Sequence, residues 1–394
     1  MRLHTILIQA DKPRRHVEVA LHNVQLLTAR NETSLKIKAL SIRVYRWASL
    51  PRWSWLLDCT ILLLIETVAL ESLGLLTNPA PQGDDPLIHI QKIIDLSRNF
   101  LHFQWDPRSF NGYIPSTGFA WENYAPPALF VSLGLDPVAV FHATFVAYFL
   151  AFGPSVYYFC RTMGSERLAA IALSVLAWAT IGYLGYVGGG AYDRVFTLPL
   201  MFISLALSYR YAALQNAGGA SSRLYWLLLA TWSATLLGDV YIAAVPVAIA
   251  TVFLALSAGW NNLRAGVLRL AAILLPSLTL TSWFWVPLIA HVLSIGSPRS
   301  DLTVSVISQV FWAGPLISLF AIILRKKSHS TPLRPEQTAI MLSINLVSVY
   351  FLIMGAFTPL WTYLPRIWST YDSFDILSFL FPATVACLFG WLRH

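Results

Sequence analysis

The residues best suited to chemistry begin at Gly83-Asp84-Asp85-Pro86-Leu87-Ile88-His89. Asp85 before Pro86 is a good helix start, with a capping oxygen followed by a proline at the first helical position. Asp85 and His89 are four residues apart, so on that helix they share a face about one turn apart. A carboxylate and an imidazole at this spacing can bind a divalent metal, orient a phosphate or take part in proton transfer. Equally, Asp85 can be a helix cap and His89 a polar residue at an interface. Further on come Phe110-Asn111-Gly112-Tyr113 and Trp121-Glu122-Asn123-Tyr124-Ala125-Pro126-Pro127. Glycine and proline beside aromatics predict a fixed loop that folds back towards a membrane, through a short re-entrant segment at 126–135. Tyr113 and Tyr124 fit a carbohydrate site and fit ordinary interfacial anchoring equally well.

The elements that must position these residues are hydrophobic. The chain has 394 residues, of which 56% are hydrophobic and 12% charged, with a mean hydropathy of +0.60. Soluble domains carry about 25% charged residues. Apolar stretches of roughly 20 residues recur, the length needed to cross a bilayer as a helix. No alternating strand pattern of a barrel is present. The predicted fold is an all-α polytopic bundle of about ten spans, drawn at 54–76, 136–160, 167–187, 195–213, 224–238, 240–259, 266–291, 304–324, 338–358 and 375–392.

Charge orients the bundle. With the N-terminus inside, the cytoplasmic loops carry Arg161 and Arg167, Arg210 and Arg223, Arg264 and Arg269, then Arg325, Lys326, Lys327 and Arg334. The opposite loops carry Arg194, Arg299 and Arg366 outside the long segment 77–125, so the positive-inside rule is met at every turn. The net charge of +8 is thereby explained by membrane topology, and nucleic-acid binding is not expected. Residues 1–52 form a basic cytoplasmic extension and are too polar for a signal peptide. The membrane domain is 53–394, and its extracytoplasmic loop 77–125 is long enough to expect a function. Within that loop Leu87, Ile90, Ile93, Ile94 and Leu101 form a stripe expected to lie along the membrane interface. Cys59, Cys160 and Cys387 fall within or beside spans and fit neither a disulfide framework nor a zinc site.

The outer loop, with its Gly-Asp-Asp-x-x-x-His, Gly112-Tyr113 and Tyr124-Ala-Pro-Pro sequences, resembles the polytopic membrane proteins named "6-pyruvoyl-tetrahydropterin synthase-related", of the broad glycosyltransferase C group. The resemblance covers 83–127 and, more loosely, the span order to the C-terminus. Nothing in the sequence suggests pterin chemistry. The resemblance implies a transferase using a polyprenyl-phosphate-linked sugar at an extracytoplasmic active site. Asp85 matches the family's acidic residue of the first outer loop, a base or metal ligand, with Asp84 as its neighbour and alternative. Asp193, in Gly188-Gly189-Gly190-Ala191-Tyr192-Asp193-Arg194, falls where a second acidic residue is needed, or only caps the next span. Asp85, His89 and Asp193 would hold a divalent cation if one is used. The family usually continues beyond the point where this chain stops, His394, so a shortened member, a fragment or a subunit needing a second membrane chain is expected. No DxD motif of the soluble nucleotide-sugar enzymes is present.

Other polar residues join this expectation. Arginine grips phosphate in a forked geometry, and Arg366 and Arg299, with His291, fall on the same side as the loop. Glu71, near the outer end of the first span, and Asp239, in a tight turn, could share the cavity, or pack and turn the chain only. Glu66 falls near mid-membrane and Asp58 nearer the cytoplasmic end, where a structural role is expected. The main alternative to a transferase is a non-catalytic membrane scaffold or subunit. A transporter is a third, encouraged by Glu66 and Glu71, although no inverted repeat is found.

Overall fold

The computed structural model describes residues 54–72, 74–76, 86–98, 121–179, 192–238, 240–295 and 335–356. The chain divides into two units, Met1–Leu57 and Asp58–His394; the contacts below all belong to the second. Every regular element among the described residues is a helix. The α-helices are α1 (Ser54–Ser72), α2 (Pro86–Arg98), α3 (Trp121–Ser132), α4 (Pro137–Thr162), α5 (Arg167–Trp178), α6 (Tyr192–Asn216), α7 (Ser222–Leu236), α8 (Val240–Leu256), α9 (Leu263–Ile295) and α10 (Pro335–Ala356). Among the described residues, three stretches are long and apolar enough to cross a membrane: Pro137–Thr162, Phe196–Asn216 and Trp260–Phe284. Helices occupy eight of the ten expected positions, and 304–324 and 375–392 lie outside the described residues.

Local sequence sets the helix ends. Asp136 caps α4, its Oδ2 accepting from the Ala139 N–H at 2.8 Å, and Pro137 follows at the first helical position. Ser221 caps α7 through Leu224 N–H at 3.2 Å. Gly134 and Gly164, both at φ 94°, end α3 and α4 in the left-handed conformation that a side chain resists. One expectation is corrected here: Trp121–Tyr124 is no loop but the first turn of α3, which runs on through Pro126 and Pro127. As its sixth and seventh residues, the two prolines have no N–H to donate to the carbonyls four residues before them.

The core is built on α4 and α6, which pack along each other. Phe152 and Phe159 meet Phe202 edge-on, with ring centroids 5.9 and 5.6 Å apart. Phe149 meets Trp178 of α5 in the same manner at 5.4 Å. From α6 the packing continues to α7 and α8, and from α8 to α9 and α10. Buried polar groups are paired between these helices: Trp232 Nε1 donates to Ser208 Oγ at 3.0 Å, and Ser204 and Thr235 share a hydrogen bond of 2.9 Å. Bonds of this kind hold helices together where the surrounding solvent is as apolar as their side chains. Large apolar residues such as Val68 (68% exposed), Trp226 (66%) and Leu280 (61%) face outward, far beyond what a water-soluble surface carries.

Candidate functional site

Helices α2 and α3 pack together and both rest on α4. The buried face of α2 carries His89, Ile90, Ile93 and Leu96. Counting 100° per residue, this face centres on Ile93, and Leu87 lies about a third of a turn away, 77% exposed. The expected stripe is therefore rotated. Leu87 is not part of the packed face, whereas His89 is buried within it at 4% exposure rather than lying at an interface.

An imidazole at that depth needs a partner, since a buried polar group left without one costs stability. Tyr124 of α3, itself buried, supplies it: its hydroxyl is 2.6 Å from His89 Nδ1. The His89 ring lies nearly parallel to Tyr124, at 5.8 Å and 19°, and to Phe141 of α4, at 6.2 Å and 7°. Lys92, one turn on from His89, places its ammonium 5.1 Å from the centre of the Tyr124 ring, within cation–π range. Gln91 Nε2 donates to Asp95 Oδ1 at 2.8 Å on the same helix. Three helices thus fix one imidazole plane and bring a cation beside it. With Nδ1 engaged by Tyr124, Nε2 is the atom through which His89 would orient an acid or pass a proton.

Of the residues singled out from the sequence, the structure brings His89 and Tyr124 together. Glu71 is exposed in the last turn of α1. Asp193 stands second in α6, and the direction of its side chain, like that of His291 in α9, is not described. Asp84, Asp85, Tyr113, Asp239, Arg299 and Arg366 lie outside the described residues. Among the described residues no three His, Cys, Asp or Glu side chains group as a metal site; Asp85 is not among them. Lys92 was not anticipated, although its place three residues after His89 puts both on neighbouring parts of one helix face.

A second polar cluster lies at the other end of α4. Asp58 of α1 is fully buried, and its Oδ2 accepts from Arg167 Nε at 2.5 Å and from the Tyr157 hydroxyl. Arg161 donates to the Ser165 carbonyl at 2.6 Å, and Arg210 of α6 to the Tyr158 hydroxyl at 2.8 Å. Arg167, counted as a loop charge from the sequence, is 6% exposed and belongs to this buried pair. The structural role expected of Asp58 accords with this geometry.

No protein-family model matches the chain, and no curated protein matches it.

Proposed function

We propose that the chain is a multi-pass membrane glycosyltransferase of the glycosyltransferase C type, taking a sugar from a polyprenyl-phosphate donor on the extracytoplasmic face. The observation that carries the reading is the His89–Tyr124 pair with Lys92 beside it. It makes Pro86–Arg98, the helix that follows Asp85 in sequence, a packed platform. In this reading the N-terminus is cytoplasmic, about ten spans cross the membrane, and the lipid tail of the donor enters between helices. The acceptor hydroxyl oxygen attacks the anomeric carbon from the side opposite the phosphate. As that bond forms, the sugar–oxygen bond to phosphate breaks and its electron pair leaves on the lipid phosphate. Asp85, or Asp84 beside it, takes the hydroxyl proton, and His89 orients the carboxylate. Arg366 or Arg299 forks onto the departing phosphate, and stabilisation of charge where it develops lowers the barrier. Asp193 is the second acidic residue of the site, and a divalent cation between it, Asp85 and His89 is a variant of the same scheme.

The test uses the full chain in nanodiscs, with polyprenyl-phosphate hexoses radiolabelled in the sugar. Release or transfer of label by the wild type, abolished in Asp85→Ala with the fold intact by circular dichroism, is the expected result. If no labelled donor is turned over, and Asp85→Ala equals wild type in donor binding, the transferase reading gives way to a non-catalytic membrane subunit.

A further inference from the structure

One buried carboxyl has no part in that scheme. The inward face of α1 is a four-residue stripe, Asp58, Leu62, Glu66 and Leu70, each at most 2% exposed. It runs antiparallel to α4: Asp58 meets Tyr157, Glu66 meets Gly153, and the turn after α1 meets His142, whose Nε2 donates to the Leu75 carbonyl at 2.6 Å. Glu66 Oε1 accepts from the Gly153 N–H at 2.8 Å. The seat exists only because residue 153 is glycine; a Cβ there would stand 2.1 Å from Oε1. The other oxygen, Oε2, is buried and has no hydrogen-bond partner among the described residues.

The two carboxyls of the stripe are served differently. Asp58 has a guanidinium and a phenol, the donors an ionised carboxylate requires. Glu66 has one backbone N–H and, on either side of it along the stripe, leucines. Besides Glu66, the titratable groups on the two helices that meet there are Asp58, Cys59 and Glu71 on α1, and His142, Tyr148, Tyr157, Tyr158, Cys160 and Arg161 on α4. Tyr157 is committed to Asp58, Arg161 to the Ser165 carbonyl, and no residue of α4 within one turn of Gly153 is charged. Glu71 is exposed on α1's last turn. An ionised carboxylate in such a setting is prohibitively costly unless paired, whereas a neutral acid has no charge to desolvate.

We infer that Glu66 is a proton-binding site inside the bundle, holding its proton at neutral pH on the carboxyl whose Oε1 is seated on the Gly153 N–H. The inference does not depend on the transferase reading. Removing the proton would leave a buried carboxylate with the Gly153 N–H as its one donor among the described residues, so the α1–α4 contact at this level is tied to proton occupancy.

The experiment is infrared spectroscopy of the full chain in nanodiscs at neutral pH, with glutamate carrying a ¹³C carboxyl. A protonated-carboxyl stretch that shifts with the label, vanishes in Glu66→Gln and persists in Asp58→Asn is expected. Wild-type protein with no glutamate-derived protonated-carboxyl band overturns the inference. Should Glu66→Gln fail to fold, dicyclohexylcarbodiimide, which adds to protonated carboxyls in apolar surroundings, locates the proton in the wild type by peptide mass mapping. An adduct at Glu66 sustains the inference, and an adduct only at another glutamate, such as the buried Glu336, overturns it.

Discussion

At the scale of single residues, the hydroxyl of Tyr124 is the testable group, because its ring can be kept while the hydroxyl is removed. Tyr124→Phe retains the stack on His89 and the surface beneath Lys92, and deletes the 2.6 Å bond to Nδ1. A buried polar atom left without its partner costs about 1–3 kcal/mol, so the thermal unfolding midpoint in detergent should fall. If His89 also orients Asp85 for proton transfer, transferase activity should fall further than the loss of folded protein accounts for. The sequence made the pairing only half legible. His89 and Tyr124 each stood out by residue type, but they are 35 residues apart and nothing local joins them. The burial of His89 was obscured by Leu87, an apolar residue that made the stripe on α2 appear centred one residue step away from its true face.

At the scale of elements, α1 is held to the bundle by polar side chains set into an apolar stripe, and two substitutions separate their roles. Arg167→Met strands the fully buried Asp58 carboxylate, and breaking a buried pair from one side costs roughly 3–5 kcal/mol. The double variant Asp58→Asn with Arg167→Met should recover much of that loss in the same unfolding measurement, because no charge is left unpaired. Gly153→Ala acts on the next level of the stripe. Its methyl group would occupy the place of Glu66 Oε1 and push the side chain from its seat, at a cost of about 1–3 kcal/mol. In a Glu66→Ala background the same change should cost almost nothing, since the contact it destroys is already gone; an unchanged cost would mean that Gly153 serves α4 alone. Helix positions were legible because apolar runs and end signals are local, as with Asp136-Pro137 ahead of α4. The partner of each buried charge was not. Asp58 and Arg167 are 109 residues apart, and the arginine stands where a loop charge is equally well expected.

At the scale of the whole molecule, hydrogen bonds gather basic residues at one end of the α4–α6 pair: Arg161 and Arg167 beside Tyr157 and Asp58, and Arg210 beside Tyr158. Six residues beyond Arg210, Asn216 donates to Glu336 of α10 at 2.7 Å and to the Ser257 carbonyl at 2.8 Å, and Arg269 of α9 donates to Ser257 Oγ at 3.3 Å. The ends of α6, α8, α9 and α10 that carry or adjoin these residues therefore face the same way. A bundle whose cationic side chains collect at one end is held in one orientation by the positive-inside rule, and His89 and Tyr124 then belong to the opposite end of α4, near its N-terminus. This arrangement is tested with single cysteines in a background free of Cys59, Cys160 and Cys387, replaced by serine or alanine. Ser109→Cys, in the 77–125 segment, should react with a membrane-impermeant maleimide added to intact cells. Ser328→Cys, beside Arg325, Lys326 and Lys327, should react only after the membrane is opened. The reverse pattern would place the His89 platform in the cytoplasm, out of reach of an extracytoplasmic acceptor, and the transferase proposal would lose its substrate. Equal labelling of both from outside would mean that the segment between them crosses the membrane an even number of times with both ends out. The basic loop would then owe its charge to something other than topology.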